Sequence, residues 1–345
     1  MNTFVAATFN LLLNAVGSFL PTLALVAGVL WLVRIPPGNL RLSLWLLPFV
    51  KVLWDLLRGI PASSFVWVHA VGAKQDIGSF MVGVGLGPTP RIHAVLNAHS
   101  SGISYPQSAA DILYRALEHK VSPWAPACVV VALLSVTFWR LGRRWRLTLQ
   151  FRREARKWLT RATPLSTARS WGRNVTVYVS AEHAGPPFAA GVVHPFVLFS
   201  QRAWSELDAD ARDAALSHEL SHLDRHDPAL IAALLLFCDV FWFLPGRAWL
   251  ARRVLAEIEF CADQRAVRRG VAPEVLANAL VSVAEQMAPS RVAMTLSLTE
   301  HVLRERVEHL LRPRSLARRW RRALLHALVW IGLVTLVTSS VFLGN

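Results

Sequence analysis

The sequence predicts a mainly α membrane protein, with about four transmembrane helices and one small α+β domain on the cytoplasmic side. Three observations predict it. The 345 residues are 54% hydrophobic with a mean hydropathy of +0.38, and only 17% are charged, which is too apolar for an ordinary soluble fold. The apolar residues collect in long runs rather than short alternating ones. The net charge is +15 with a pI near 11.2, and the basic residues flank the apolar runs, as Lys and Arg do at the cytoplasmic ends of membrane helices. So basic a chain also raises nucleic-acid binding. No recognition-helix motif appears, and anionic lipid headgroups account for the charge, so direct contact with nucleic acid is not expected. The three cysteines, Cys128, Cys238 and Cys261, indicate no disulfide framework.

Residues 1–141 read as a membrane region with three spans, about 9–33, 42–60 and 123–141. The first closes at Arg34-Ile35-Pro36-Pro37 and lacks the basic start and cleavage site of a signal peptide. The second carries Lys51 and Asp55 at i,i+4, which either pair inside a bundle or line a polar path. A C-terminal span is expected at 323–343, within a segment 323–345. Between the second and third spans lies an outer loop, 61–122. Its cluster Gly83-Val84-Gly85-Leu86-Gly87-Pro88 reads as flexible loop, and 106–119 as a short amphipathic surface helix.

Charge sets the orientation. Residues 140–173 hold eleven Lys/Arg against the single acid Glu154, and 312–322 hold six Arg and no acid. Both belong on the cytoplasmic side, as does the basic link around Arg34 and Arg41. Four spans then leave both termini outside and the domain 142–322 inside. The apolar run 229–244 is marginal for spanning; a crossing there would break the charge rule, so it reads as a buried or partly embedded helix.

Within the inner domain, Val175–Ser180 alternates and is β-rich, which predicts a strand. Gly191–Phe199 reads as a second strand, placed at an edge because of Pro195. Ser205 and Asp208 precede a long helical pattern, and Asp227-Pro228 ends it and starts the next.

That helical pattern carries His218-Glu219-Leu220-Ser221-His222. Two histidines at i,i+4 lie on one face, one turn apart, at the reach of two ligands to one tetrahedral zinc. Glu219 stands beside the first and is placed to take a proton from a water on the metal. The pattern arises by chance roughly 0.015 times in a chain of this composition, so its context carries the rest. A third protein ligand is expected downstream. Glu259 is the candidate, with Glu257 as the alternative, and Asp263 lies one turn beyond Glu259 to orient a histidine through its remaining N–H. A solvated helix face with Arg265 is the bland reading of the same residues.

The segment from Gly185 to Asp263 resembles the peptidase region of the BlaR1/MecR1 family of membrane metallopeptidases, peptidase family M56. The resemblance rests on Gly185-Pro186, Gly191, Pro195, the His218–His222 motif, Arg225, Asp227, Trp242-Phe243-Leu244-Pro245, Trp249, Glu259 and Asp263. Leu303-Arg304-Glu305-Arg306-Val307-Glu308 resembles a downstream helix of this family and of HtpX/Ste24-like peptidases. The resemblance implies a gluzincin-like zinc site with His218, His222 and Glu259 as ligands, Glu219 as base, and Zn2+ as cofactor. It implies a multi-pass protein of a bacterial-type inner or plasma membrane. Cys261-Ala262 departs from the family, where the cysteine more often precedes the aspartate directly; Ala-Asp is closer to HtpX/Ste24. The outer β-lactam-sensing domain that those receptors carry after their last span has no counterpart before Asn345, so β-lactam sensing is not expected.

The expectation is therefore a regulatory zinc endopeptidase acting on a cytoplasmic protein, either a winged-helix repressor or itself. An extended substrate would add to the edge strand near Val193–Leu198. The alternatives are a quality-control peptidase of HtpX/Ste24 type and a catalytically silent membrane scaffold. Membrane lipids and a second copy of the chain, as a homodimer, complete the expected partners. His226 and the arginines near 304–306 are candidates for stabilising the oxyanion, a role the sequence leaves unassigned.

Overall fold

A computed structural model describes residues 2–58, 121–122, 124–170, 173–287, 293–312 and 332. Most of the expected outer loop, with its glycine cluster and surface helix, and the expected C-terminal span at 323–343 lie outside the described residues.

The chain begins with two helices, α1 (Asn2–Val33) and α2 (Asn39–Arg58), packed as a hairpin. α1 over Ala15–Val33 has a mean hydropathy of 2.1 and is long and apolar enough to cross a membrane. So is the apolar part of α3 (Ala125–Thr160), at 1.7. These are the two such helices among the described residues, and they pass by length and composition only. α2 carries the charges noted above, and they are satisfied internally: Lys51 Nζ lies 2.7 Å from Asp55 Oδ1, and Ser18 Oγ on α1 donates to Asp55 Oδ2 at 2.6 Å. All three side chains are buried.

α3 differs from the expectation. The basic stretch after residue 141, beyond the span expected at 123–141, continues the helix to Thr160. The reason is local: Arg, Leu, Lys, Glu and Ala are strong helix formers, and no Gly or Pro interrupts between Arg143 and Thr163. α3 is tied to the domain by Arg140 and Arg144, whose nitrogens lie 2.8 and 2.5 Å from the two oxygens of the buried Asp239.

A four-stranded sheet follows, built from β1 (Thr163–Ser170), β2 (Arg173–Ser180), β3 (Phe188–Ala190) and β4 (Phe196–Ser200) in the order β1-β2-β4-β3. β1 had no sequence signal strong enough to be expected. The expected single strand Gly191–Phe199 is two strands and a turn. Gly191 has φ +91°, and a Cβ there would sit 2.1 Å from His194 O, so the chain reverses between β3 and β4. β4 is consequently interior, parallel to β2 and antiparallel to β3, and the edge near the site is Phe188–Ala190 rather than Val193–Leu198. Pro195 stands just before β4, where it costs no ladder bond.

Helices α4 (Gln201–Glu206), α5 (Ala209–Asp224), α6 (Asp227–Val240), α7 (Arg247–Arg268), α8 (Pro273–Met287) and α9 (Ala293–Leu311) complete the described chain. Ser205 falls inside α4, and the N-cap of α5 is Asp208, whose side chain accepts from Ala211 N–H at 2.7 Å. α5 lies on the sheet, with Leu220 and Leu223 packed on Val175, Val177, Val197 and Phe199. A second cluster, including Ala211, Ala214, Ala266, Leu276 and Leu310, joins α5 to α7, α8 and α9. A third joins α6 and α7 to the α1–α2 hairpin, where Phe49 meets Phe237 with ring centroids at 4.8 Å and Trp45 meets Trp249 at 5.4 Å. α6 covers most of the apolar run 229–244. Its 14 residues extend about 21 Å, short of a bilayer core of about 30 Å.

Candidate metal centre

α5 and α7 pack side by side and bring their polar faces together. His218 Nε2 and His222 Nε2 are 3.2 Å apart. Glu259 on α7 places Oε2 at 3.5 Å from His218 Nε2 and Oε1 at 3.8 Å from His222 Nε2. These donors form a group able to hold a metal ion, all within 4.8 Å of one another. A tetrahedral ion with bonds of about 2.0–2.1 Å sets its ligand atoms about 3.3 Å apart, so the three observed separations suit one small divalent ion.

Both imidazoles turn Nε2 inward because a carboxylate stands at each Nδ1. Asp227 Oδ2 is 2.9 Å from His222 Nδ1. Asp263 Oδ1 is 3.0 Å from His218 Nδ1, off the axis of a well-aligned hydrogen bond. The arrangement of carboxylate behind histidine is the usual support of metal-ligating imidazoles. Asp227 reaches His222 because His226 adopts a left-handed conformation, φ 56°, which turns the chain sharply between α5 and α6. In the sequence Asp227 shows only as a helix break and as part of the resemblance. Its spacing from His222 carries no helical signal, since that turn intervenes.

Arg306 on α9 is the second residue whose place the sequence left open. Its Nη1 lies 3.0 Å from Glu259 Oε2, its Nη2 3.3 Å from His218 Nε2, and Nε and Nη2 bond Asp263. Glu257, the alternative ligand, is elsewhere: it is buried, with Oε1 2.9 Å from Arg41 Nε and Oε2 accepting from Gly38 N–H at 3.3 Å. Arg265, part of the bland reading, pairs with Asp224.

Protonation follows from these neighbours. Burial opposes the charge of His218, yet the adjoining carboxylates of Asp263 and Glu259 raise it to about 10. Burial also works against ionised Glu259 and Asp263, but the Arg306 guanidinium and His218 override it, holding Glu259 well below its usual range and Asp263 at about 2. Glu219 goes the other way. Burial raises its carboxyl, with the two histidines and the Ala189 N–H on β3 pulling against it. A carboxyl raised by burial beside a metal-ligand set is poised as a general base or acid.

A cavity of about 180 Å³ opens near the end of α5, lined by Val192, Pro195, Leu223, His226 and Pro228 among others. Leu223 is one helical turn beyond Glu219.

The HExxH run of α5 is thus backed by a small sheet and faced by a glutamate from a second helix. The family model described as BlaR1 peptidase M56 matches residues 29–310, and the chain belongs to that family. Its members are membrane-associated metallopeptidases, so the chain is a peptidase and a protein is its substrate. Curated proteins give no significant match.

Proposed function

We propose that this chain is an integral-membrane zinc endopeptidase with its site on the cytoplasmic side. In this reading His218, His222 and Glu259 hold Zn2+, Glu219 is the base, and Asp263 orients His218. The observation that carries it is the meeting of three donor atoms at 3.2–3.8 Å, the spacing one zinc ion requires. A zinc ion bound there would supply Lewis acidity to a water molecule and to the scissile carbonyl. Glu219 takes a proton from the attacking water and returns it to the leaving amine. Its raised carboxyl suits both steps. β3 is the edge strand of the sheet beside the site, and its Ala189 N–H bonds the Glu219 carboxylate, so an extended substrate adding to this edge would pass the base.

The four-span layout, with residues 142–322 inside, rests on the charge distribution and on the two long apolar helices. A cytoplasmic substrate follows from it, and a regulatory role toward a repressor or toward the chain itself fits the family. The test is Glu219→Ala in the purified protein. Cleavage of a protein substrate should be abolished while bound zinc stays at the wild-type level; full activity in that variant would sink the mechanism.

A further inference from the structure

The short link between α1 and α2 does more than join two helices. Pro37 O accepts from Gln264 Nε2 at 2.8 Å, Gly38 N–H donates to Glu257 Oε2, and Arg41 Nε stands 2.9 Å from Glu257 Oε1. Gly38 has φ +142°, and a Cβ there would lie 3.0 Å from Gln264 Oε1, so the link lies directly against the face of α7 that carries Glu257 and Gln264. On the α5 side, Asn39 Oδ1 accepts from Arg225 Nη1 at 2.6 Å, across 186 residues of sequence. The same guanidinium places Nε 3.2 Å from Asp227 Oδ2, and that oxygen is 2.9 Å from His222 Nδ1.

We infer that Asn39 is a positioning residue for the metal site, acting through Arg225 and Asp227 to hold the His222 imidazole with Nε2 toward the other ligand atoms. This rests on the ligand set proposed above. The physical case is one of fixed planes. Asp227 Oδ2 accepts from two donors while Oδ1 has no hydrogen-bond partner, so the orientation of this carboxylate depends on the two groups at Oδ2. One is His222 itself. The other is Arg225, a rigid planar fork whose second prong is fixed by Asn39. With that acceptor removed, the guanidinium can swing toward solvent, since its side chain is 16% exposed, and Asp227 loses its anchor. Asn39 is the first residue of α2. The support of one metal ligand therefore extends into the α1–α2 hairpin, and a shift of that hairpin would be felt as a rotation of His222.

The experiment measures the zinc dissociation constant of the full-length protein in detergent by competition with a chelating dye. It compares wild type with His222→Ala, Asn39→Ala, Asn39→Asp and Ser43→Ala. Removing a direct support of a ligand costs about 10–100-fold in affinity, so this more distant anchor should cost about 5-fold in Asn39→Ala. Asn39→Asp keeps the acceptor and should bind as tightly as wild type. A role that depended on the amide NH2 rather than on the Oδ1 acceptor would not give that rescue. Ser43→Ala removes a hydroxyl that donates to the Asn39 main-chain carbonyl and leaves the Asn39 Oδ1–Arg225 bond in place, so it should bind as wild type does. Wild-type affinity in Asn39→Ala, with His222→Ala weakened, overturns the role of Asn39 and leaves the ligand set standing. Equal affinity of wild type and His222→Ala overturns both.

Discussion

Arg306 on α9 bonds Asp263 on α7 through two nitrogens, Nε to Oδ2 and Nη2 to Oδ1, each at 2.8 Å. The pair is almost fully enclosed, with 11% and 1% of the two side chains exposed. The remaining nitrogen reaches Glu259, so one cation neutralises both carboxylates that α7 brings to the histidines. Without it, Glu259 and Asp263 would repel each other one helical turn apart. Docking of α9 is thus part of the candidate metal centre, not an appendage to it.

Arg306→Ala should be costly for that reason. Leaving a buried carboxylate unpaired destabilises by about 3–5 kcal/mol. Arg306→Lys should recover only part, because an ammonium supplies one point charge in place of a planar fork. Thermal unfolding of metal-free protein in detergent checks the ranking wild type, Lys, Ala. Equal melting of all three would show that Asp263 finds another partner.

Glu257 makes stability depend on pH. Burial pushes its carboxyl up to about 7 from the ordinary 4.5, against the pull of Arg41 and the Gly38 N–H. A folded-state value above the unfolded one means the native state holds the proton more tightly. That contribution is complete below about 4.5 and is lost as pH rises through about 7. Glu257→Gln mimics the protonated form and removes the dependence. Relative to it, wild type should lose stability between about pH 4.5 and about pH 8, by at most on the order of 3 kcal/mol. A constant offset over that interval would contradict the raised value.

Lys51 and Asp55 form a buried pair within α2, held to α1 by Ser18, each side chain 4% exposed. Lys51→Met alone strands the aspartate and should cost about 3–5 kcal/mol, whereas Lys51→Met with Asp55→Leu should recover most of it. The double variant melting below the single one would show that the pair itself, rather than the stranded charge, holds the hairpin.

Gly191→Ala should damage both fold and site. The left-handed φ and the 2.1 Å approach to His194 O leave no room for a Cβ. The expected cost is about 2 kcal/mol or more. Because the turn sets β3 against Glu219, peptidase activity should also fall at temperatures where the variant is folded. Unchanged melting would mean the turn relaxes without moving its neighbours.

What the sequence by itself determined is local in origin. His218 and His222 share a face because a helix repeats every 3.6 residues, and Glu259 and Asp263 share one for the same reason. Apolar runs and basic flanks marked α1 and the first half of α3, and alternation marked β2. The tertiary structure decided what those faces meet. Asp227 reaches His222 through a left-handed turn at His226, Arg306 arrives from a helix 43 residues beyond Asp263, and Asn39 from the far end of the chain. None of the three has a periodic signature, because each meets its partner through a turn or the docking of separate elements. The same holds for the run Gly191–Phe199. Its composition is that of one strand, and only the pairing of β4 with β2 on one side and β3 on the other shows where the edge lies.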